Sequence, residues 1–235
     1  MNLVSELILV RHGQSLSNVA FPAADAKGLL EAEVGGRDAE VPLTGLGEAQ
    51  AAAVGGWLAS LPAEQVPEVV ITSPYLRARE TWRIAAEASG LALPAPKTDD
   101  RLVDRLLGDL EMLTRAAIAQ RFPAEAGRRA EAGEYRYAPP NGESFADVQA
   151  RLTSFLADLN AEHAGERVVV VAHDAVVLMM RATIERLGWD EVVAMERAAG
   201  TVRNASISQF LARDGRLELV RYNSVDHLPS VWLRR

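Results

Sequence analysis

Three short apolar runs are the strongest pattern in the chain. They are Leu7–Val10, Val69–Thr72 and Val168–Ala172, each rich in Val, Ile or Leu and without alternating polar positions. A strand with one solvent-exposed face alternates between apolar and polar residues, whereas a strand covered on both faces is continuously apolar. The three runs therefore predict buried strands of a parallel sheet.

Helical patterns lie between these runs. Residues 46–61 carry one apolar stripe at three- and four-residue steps, made of Leu46, Ala49, Ala53 and Trp57. Residues 144–159 carry a second stripe, made of Phe145, Val148, Leu152, Phe155 and Leu159. Strands that alternate with helices predict an α/β fold, here a three-layer sandwich with a mostly parallel central sheet flanked by helices. Ser206–Leu211 and Leu217–Tyr222 predict a late hairpin.

Two segments do not fit this sheet pattern. Val19–Pro42 is expected to be a long loop, and Leu113–Asn141 is charged, helical in part, and followed closely by the second helical stripe. Insertions of this length in compact domains are often lids or binding loops. We therefore expect residues 1–235 to form a single domain with a helical cap insertion at about residues 98–145.

Composition excludes several classes of protein. Of the 235 residues, 49% are hydrophobic and 24% charged, which excludes a disordered chain. The net charge of −7 argues against nucleic acid or an anionic membrane as a partner. The absence of Cys excludes disulfides and thiolate metal sites and fits a reducing compartment. Val168–Met180 is too short and too polar to span a bilayer, so we expect a cytoplasmic protein.

The residues that follow the apolar runs carry the candidate chemistry, because ligands of open α/β sheets bind outside the carboxyl ends of the strands. Arg11 and His12 follow the first run, Arg77 follows the second, and His173 and Asp174 follow the third. Arginine binds phosphate through a planar fork of donors, and imidazole is a nucleophile that is partly neutral near pH 7. This set predicts a phosphate site that relies on fixed cations and needs no metal.

The ordered motifs are similar to those of a known family. Leu7-Ile-Leu-Val-Arg-His-Gly-Gln-Ser15, with Asn18, resembles the signature of the histidine phosphatase superfamily, the phosphoglycerate-mutase-like proteins. The resemblance continues along nearly the whole chain, in Pro42–Gln50, Ser73–Thr81, Gly142–Ser144, Val168–His173 and Asn223–Leu228. It implies that His12 takes up the phosphoryl group and that His173 completes the pocket. The same resemblance implies that the substrate is bound by Arg11, Gln14, Asn18 and Arg77.

Two aspartates compete for the role of proton donor. Asp104 stands where the mutase-like branch usually has glutamate, and Asp174 stands where that branch usually has glycine. An aspartate directly after the second histidine resembles the donor of the family's acid-phosphatase branch. We favour Asp104, because Arg101-Leu102 and Gly108 match the pattern around the donor, and we count Asp174 among the substrate-binding residues. Asp174 has a structural alternative as the N-cap of a helix.

The resulting expectation is a phosphomonoesterase that hydrolyses a small phosphorylated metabolite through a phosphohistidine on His12, with no metal or cofactor. Two alternatives stay open. A phosphoglycerate-type mutase ranks lower, because residues 19–42 lack the Phe-Thr-Gly-Trp-like stretch of such mutases. A non-catalytic phosphate-binding module is suggested by the aspartate at position 104. The oligomeric state is also open, a homo-oligomer included.

The cap bears on the choice of substrate. It offers basic and aromatic side chains that suit a second anionic group, with solvated helix faces as the alternative reading: Arg115, Arg121, Arg128, Arg129, Tyr135, Arg136 and Tyr137.

Overall fold

A six-stranded sheet forms the centre of residues 3–233, which a computed structural model describes. Its strands are β1 (Glu6–Arg11), β2 (Val69–Thr72), β3 (Lys97–Thr98), β4 (Arg167–Ala172), β5 (Ile207–Arg213) and β6 (Arg216–Ser224). They lie side by side in the order β3-β2-β4-β1-β5-β6. The first four pair in parallel, while β5 and β6 form an antiparallel hairpin beside β1. The predicted mostly parallel sheet and its late hairpin are confirmed.

The register of the parallel strands brings their carboxyl ends together. Arg11 at the end of β1 lies opposite Ala172 at the end of β4, and Thr72 at the end of β2 lies opposite Val171. Residues that follow these three strands therefore meet at one edge of the sheet.

Within the described residues, the helices are α1 (Leu16–Ala26), α2 (Gly45–Ala59), α3 (Leu76–Ser89), α4 (Arg115–Arg121), α5 (Glu125–Ala132), α6 (Phe145–Glu162), α7 (Asp174–Glu185) and α8 (Trp189–Ala199). They cover both faces of the sheet. On one face, Leu152 of α6 and Met179 of α7 share a core with Leu9. On the other face, Leu58 of α2 and Trp82 of α3 pack against the alternate strand residues. The three-layer arrangement is thus confirmed.

One predicted helix face is right and the other is wrong. Val148, Leu152, Phe155 and Leu159 of α6 are buried as their stripe predicts. In α2 the buried residues are instead Gly47, Gln50, Ala51, Val54, Gly55 and Leu58. Two of these are glycines, which place helix backbone against a neighbour without an apolar side chain. The buried Ala51, Val54 and Leu58 form a second apolar stripe beside the predicted one, whose Ala53 and Trp57 are only partly buried, so spacing alone does not choose between the two faces.

The segment 19–42 differs from the expected long loop, because α1 extends to residue 26. Ser15 caps α1 by accepting from the N–H of Asn18, and the Asn18 side chain accepts from the N–H of Ser15 in return. Pro22 lies inside this helix. Because proline is normally unfavourable in a helix interior, the sequence pattern does not predict a helix here. A 3₁₀ turn at Asp38–Glu40 follows.

The segment between β3 and α6 holds two 3₁₀ turns, Asp100–Leu102 and Gly108–Leu110, followed by α4 and α5. The expected partial helicity of residues 113–141 is therefore present. The bounds of a cap at about 98–145 stay a prediction. Neither α8 nor the two-residue β3, whose side chains are exposed, is predicted by the apolar pattern.

Adjacent glycines in α2 provide a matched test of the packing between α2 and α3. A Cβ on Gly55 would lie 2.4 Å from the carbonyl oxygen of Ala85, whereas a Cβ on Gly56 would meet nothing within 4 Å. We expect Gly55→Ala to lower the free energy of unfolding by about 1–3 kcal/mol. Gly56→Ala should raise it by about 0.5–1 kcal/mol through helix propensity. Urea denaturation measures both, and equal effects would contradict the close helix approach.

Candidate active site

Residues from three strand ends converge on one edge of the sheet. Arg11 ends β1 and His12 follows it, Arg77 lies in the first turn of α3 after β2, and His173 directly follows β4. The imidazole rings of His12 and His173 are edge-on, with centroids 5.2 Å apart. The sheet therefore assembles two histidines and two arginines from segments that are distant in sequence.

The His12 ring is held as a neutral tautomer whose unprotonated nitrogen is Nε2. Its Nδ1 lies 2.7 Å from the carbonyl oxygen of Gly13, which only accepts, so Nδ1 carries the hydrogen. Its Nε2 accepts from Nε of Arg77 at 3.3 Å. Burial chiefly lowers the pKa of His12 well below its usual range, and His173, Arg77 and Arg11 lower it further. Nε2 is thus an unprotonated nitrogen that faces a guanidinium group.

His173 is fully buried and has one unused ring nitrogen. Its Nε2 lies 2.8 Å from Oγ of Ser73, which also accepts from the N–H of Tyr75. The other ring nitrogen, Nδ1, has no hydrogen-bond partner and lies 3.5 Å from the Asp104 carboxylate. Burial, followed by the charges of Arg77 and Arg11, holds the pKa of His173 well below its usual range.

Arg77 is the centre of the polar network, and its five N–H donors are all engaged. Nε donates to His12, and Nη1 donates to the backbone oxygen of Asp38 at 2.7 Å and to its Oδ1 at 3.1 Å. Nη2 donates to Oδ2 of Asp38 at 3.0 Å and to Oδ2 of Asp104 at 3.2 Å. A buried guanidinium group is therefore compensated by two carboxylates.

Asp38 is a partner of Arg77 that the sequence analysis does not predict. It begins the 3₁₀ turn that precedes Pro42, in a segment expected to be a loop, and it pairs with Arg77 across 39 residues of sequence. Ser73 and Tyr75 were also missed as neighbours of His173, with the rings of Tyr75 and His173 5.1 Å apart. Their position just after β2 is the one signal that could have identified them.

The two candidate proton donors differ in where they lie. Asp104 contacts Arg77 and His173 and lines the same cavity as His12. Asp174 is the first residue of α7, and its Oδ2 is 3.7 Å from Nη1 of Arg11. His173, not Asp174, occupies the N-cap position, so the N-cap reading of Asp174 is wrong. Burial raises the pKa of Asp174, and Arg11 opposes that rise.

Of the other residues predicted to bind substrate, two line the cavity and one does not. Arg11 lines the cavity, and its Nη1 also donates to the backbone oxygen of Val202. Asn18 lines the cavity, while its Oδ1 also accepts from Asn204 at 3.0 Å. The side chain of Gln14 accepts from the Thr44 hydroxyl at 2.9 Å and lines a neighbouring depression instead.

The cavity above His12 has a volume of about 380 Å³. Besides the predicted residues, its wall contains Ser15, Ser17, Phe21, Asp25, Asp38, Tyr75, Arg105, Leu107, Glu111, Met112 and Leu113. None of the seven basic and aromatic side chains expected from the cap belongs to this wall. Instead, Arg128 pairs with Glu125, Arg129 pairs with Glu134, and the Tyr137 hydroxyl donates to Glu125. For this cavity the structure therefore agrees with the alternative of paired or solvated helix faces rather than with a basic wall.

The part of the chain that the structure describes holds no group of three or more His, Asp or Glu side chains placed to bind a metal ion. Over those same residues, no helix has the length and apolar character needed to cross a bilayer.

Comparison with known proteins agrees with this geometry. The family profile described as "Histidine phosphatase superfamily (branch 1)" matches residues 7–225. The chain belongs to this superfamily. Both the motifs of the sequence and the fold thus lead to the same family.

Relatives of this chain within the superfamily differ in their activities. It is 28% identical to a metal-independent phosphoserine phosphatase of Arabidopsis thaliana, over 97% of this chain and 85% of that protein. It is 32% identical to a 2,3-bisphosphoglycerate-dependent phosphoglycerate mutase of Azorhizobium caulinodans, over 83% of this chain and 88% of the mutase. The vanadate (VO3) complex of mycobacterial glucosyl-3-phosphoglycerate phosphatase superposes with a TM-score of 0.70 at 29% identity, covering 94% of this chain and 100% of that one.

The neutral state of the His12 and His173 rings has a consequence for stability. Because the folded pKa values lie below those of the unfolded chain, the unfolded state binds more protons in acid. The stabilisation is complete above about pH 6.5, the unfolded value, and is lost as the pH falls. We expect the free energy of unfolding to fall below that pH by up to about 1.4 kcal/mol per pH unit for each ring.

Urea denaturation between pH 5 and pH 7.5 measures this slope. His173→Asn should have a shallower slope than the unsubstituted protein, whereas His163→Asn, which removes a ring paired with Glu166 near the surface, should keep the slope more closely. Equal slopes in all three proteins would contradict a neutral His173.

Proposed function

We propose that this histidine phosphatase is a metal-independent phosphomonoesterase that uses His12 as its nucleophile. The observation that most directly supports this proposal is the unprotonated Nε2 of His12. It lies 3.3 Å from Nε of Arg77, in a cavity that also contains Arg11 and Asp104. A neutral imidazole beside fixed cations suits attack on a phosphate group, because the cations attract the dianion and stabilise charge that develops on its oxygens.

The first step transfers the phosphoryl group to the protein. The lone pair of His12 Nε2 forms the N–P bond while the P–O bond to the leaving group breaks in line with it. Asp104, in its protonated form, gives its proton to the departing oxygen. Arg11, Arg77 and Nδ1 of His173 donate to the equatorial oxygens.

The second step returns His12 to its starting state. A water molecule gives a proton to the Asp104 carboxylate and attacks phosphorus, and the N–P bond breaks with its electrons returning to Nε2. The products are the alcohol and inorganic phosphate, so atoms and charge balance without a metal or a redox partner. A relative of known structure, mycobacterial glucosyl-3-phosphoglycerate phosphatase, has been solved with inorganic phosphate, which supports phosphate as a ligand of this fold.

Hydrolysis is favoured over mutase activity by the wall of the cavity. A phosphoglycerate-type mutase binds a second anionic group beside the transferred phosphate. The remaining arginine of the wall, Arg105, donates to the backbone oxygens of Glu143 and Tyr137 and lies 3.6 Å from Glu134. Its charge is therefore committed within the protein.

Replacement of the nucleophile tests the proposal. We expect His12→Ala to lower kcat/KM for 4-nitrophenyl phosphate by at least about 10⁴-fold, since the covalent route is lost. His163→Ala, far from the cavity, should leave kcat/KM unchanged within about twofold. Brief mixing with ³²P-labelled substrate should leave acid-labile label on the unsubstituted protein and none on His12→Ala. Retained turnover would overturn the proposal, and labelled phosphoglycerate formed from a bisphosphorylated primer would favour the mutase.

The identity of the proton donor is tested by varying the leaving group. A 4-nitrophenolate leaves without a proton, whereas an alkoxide needs one. We expect Asp104→Asn to lower kcat/KM for propyl phosphate by about 10²–10⁴-fold and to affect 4-nitrophenyl phosphate far less. Asp174→Asn should change both substrates by the same small factor. The opposite pattern would transfer the role to Asp174.

A further inference from the structure

A second cavity, larger than the one above His12, lies between α4 and α5. Its volume is about 890 Å³, and apolar side chains form most of its wall. Ile118 belongs to α4, Phe122 and Pro123 follow that helix, and Ala126 and Ala130 belong to α5. We call this cavity the α4–α5 groove. Its size and its apolar wall are typical of a site that binds an apolar group.

The charged side chains of the α4–α5 groove are already paired. Each of the five has an ion-pair partner: Arg105 and Arg129 with Glu134, Arg115 with Asp25, and Glu125 with Arg128. A charged ligand would have to exchange one of these pairs for its own. An uncharged apolar group would bury apolar surface and leave all the pairs intact, which is favourable.

The groove and the catalytic cavity share part of their walls, because Arg105 and Leu107 line both. Arg105 is held in place. Its Nε donates to the backbone oxygen of Glu143 at 2.8 Å, its Nη2 donates to that of Tyr137 at 2.9 Å, and its guanidinium carbon lies 4.4 Å from the centre of the Phe145 ring. The side chain of Leu107 is 41% exposed, so it offers an apolar surface between the two cavities.

The proposed proton donor places the leaving group at this shared wall. Oδ1 of Asp104 accepts from the N–H of Arg105 at 2.9 Å, and Oδ2 accepts from Nη2 of Arg77 at 3.2 Å. The carboxyl group of Asp104 therefore lies between the arginine that binds phosphate and the segment that lines both cavities. A leaving oxygen that takes its proton from Asp104 must lie within hydrogen-bond distance of it. The carbon chain bonded to that oxygen thus begins beside the shared wall.

Close backbone contacts fix the shared wall before any ligand binds. Gly108 has a positive φ of 54°, and a Cβ there would lie 2.1 Å from the carbonyl oxygen of Pro140. The N–H of Glu143 donates to the carbonyl oxygen of Leu106 at 2.8 Å, and the N–H of Asp109 donates to that of Pro140 at 2.9 Å. Since this wall of the groove is preformed, little binding energy is needed to order it.

We propose that the α4–α5 groove binds an uncharged hydrocarbon group on the leaving alcohol of the substrate. The phosphate binds in the catalytic cavity, the chain crosses Leu107, and its far end packs against Ile118, Phe122 and Ala126. The class of substrate is then a phosphate monoester of a long apolar alcohol. This inference rests on the proposed function for the position of the phosphate and of the leaving oxygen.

Binding of four alkylphosphonates tests the groove without turnover. Ethyl-, butyl-, hexyl- and octylphosphonate have the same anionic group and differ only in the length of the chain. We expect calorimetry to show an affinity that rises about two- to fourfold for each methylene added between the butyl and the octyl compound. An affinity that does not change with chain length overturns the inference.

Two matched variants of α5 separate the groove from the rest of the surface. Ala130→Glu places a carboxylate at the groove, whereas Ala132→Glu places one at an exposed position of the same helix outside the groove. We expect Ala130→Glu to lower the ratio of octyl to ethyl affinity by about three- to tenfold and to leave ethylphosphonate binding unchanged. Ala132→Glu should keep both values.

A third variant removes apolar surface instead of adding charge. Ile118→Ser should also lower the ratio of octyl to ethyl affinity, by about threefold or more, with ethylphosphonate binding as the check that the catalytic cavity is intact. A ratio that both Ala130→Glu and Ile118→Ser leave unchanged overturns the inference, because the chain then packs elsewhere.

Inorganic phosphate tests whether the chain continues from the catalytic cavity. At about ten times its own Kd, phosphate should weaken the apparent affinity for octylphosphonate by about tenfold, since both occupy the same anion site. Octylphosphonate binding that phosphate does not weaken overturns the inference, because the groove then binds the chain independently of the cavity.

The outcomes for the two proposals are distinct. Equal affinity for ethyl- and octylphosphonate, in a protein that hydrolyses 4-nitrophenyl phosphate through His12, overturns the groove and supports the proposed function. A chain-length dependence that Ala130→Glu and phosphate both reduce, in a protein that hydrolyses no phosphomonoester, supports the groove and overturns the proposed function. A dimer that octylphosphonate dissociates in analytical ultracentrifugation overturns the groove as a substrate site, since a second copy of the chain then covers it. Failure of all four phosphonates to bind also overturns it.

Discussion

The guanidinium group of Arg77 is almost fully buried, and burying such a charge costs several kcal/mol unless its donors are satisfied. Asp38 and Asp104 compensate the charge, and Nε of Arg77 donates to His12. The same cation disfavours a proton on His12 and on His173, which burial alone already keeps neutral. One buried cation thus adds to the effect of burial on the protonation of both imidazole groups.

The fold holds this arrangement through close backbone contacts rather than through large side chains. A Cβ on Gly13 would lie 2.4 Å from the carbonyl oxygen of Gly47, at the start of α2. Gln50 of the same helix accepts from the N–H of Gln14 at 2.8 Å. The turn after β1 is therefore fixed against α2, and it presents His12 to the cavity at a position that the sheet register places beside His173.

Sequence patterns predicted the parts of the molecule that depend on continuous or periodic apolar residues. The three buried strands, the stripe of α6 and the arrival of His12, Arg77 and His173 at one sheet edge all follow from such patterns. The buried face of α2 does not, because Ala51, Val54 and Leu58 compete with an adjacent apolar stripe on the same helix. Asp38 could not be found either, since its role comes from a contact across 39 residues and not from a local pattern. For the basic residues of the cap the sequence left two alternatives open, because composition does not show which arginines are already paired with carboxylates.

A carboxylate tethered at Arg77 has a bearing on the choice between hydrolysis and group transfer. A group held on the same chain competes at an effective concentration in the millimolar range or above. Asp38 therefore weakens the binding of any phosphate that needs the same two donors. A hydrolase must release inorganic phosphate in every cycle and gains from this competition, whereas a mutase must retain a phosphorylated intermediate through the exchange of its alcohol. An Arg77 guanidinium group that is already paired with Asp38 is for this reason better suited to hydrolysis than to group transfer.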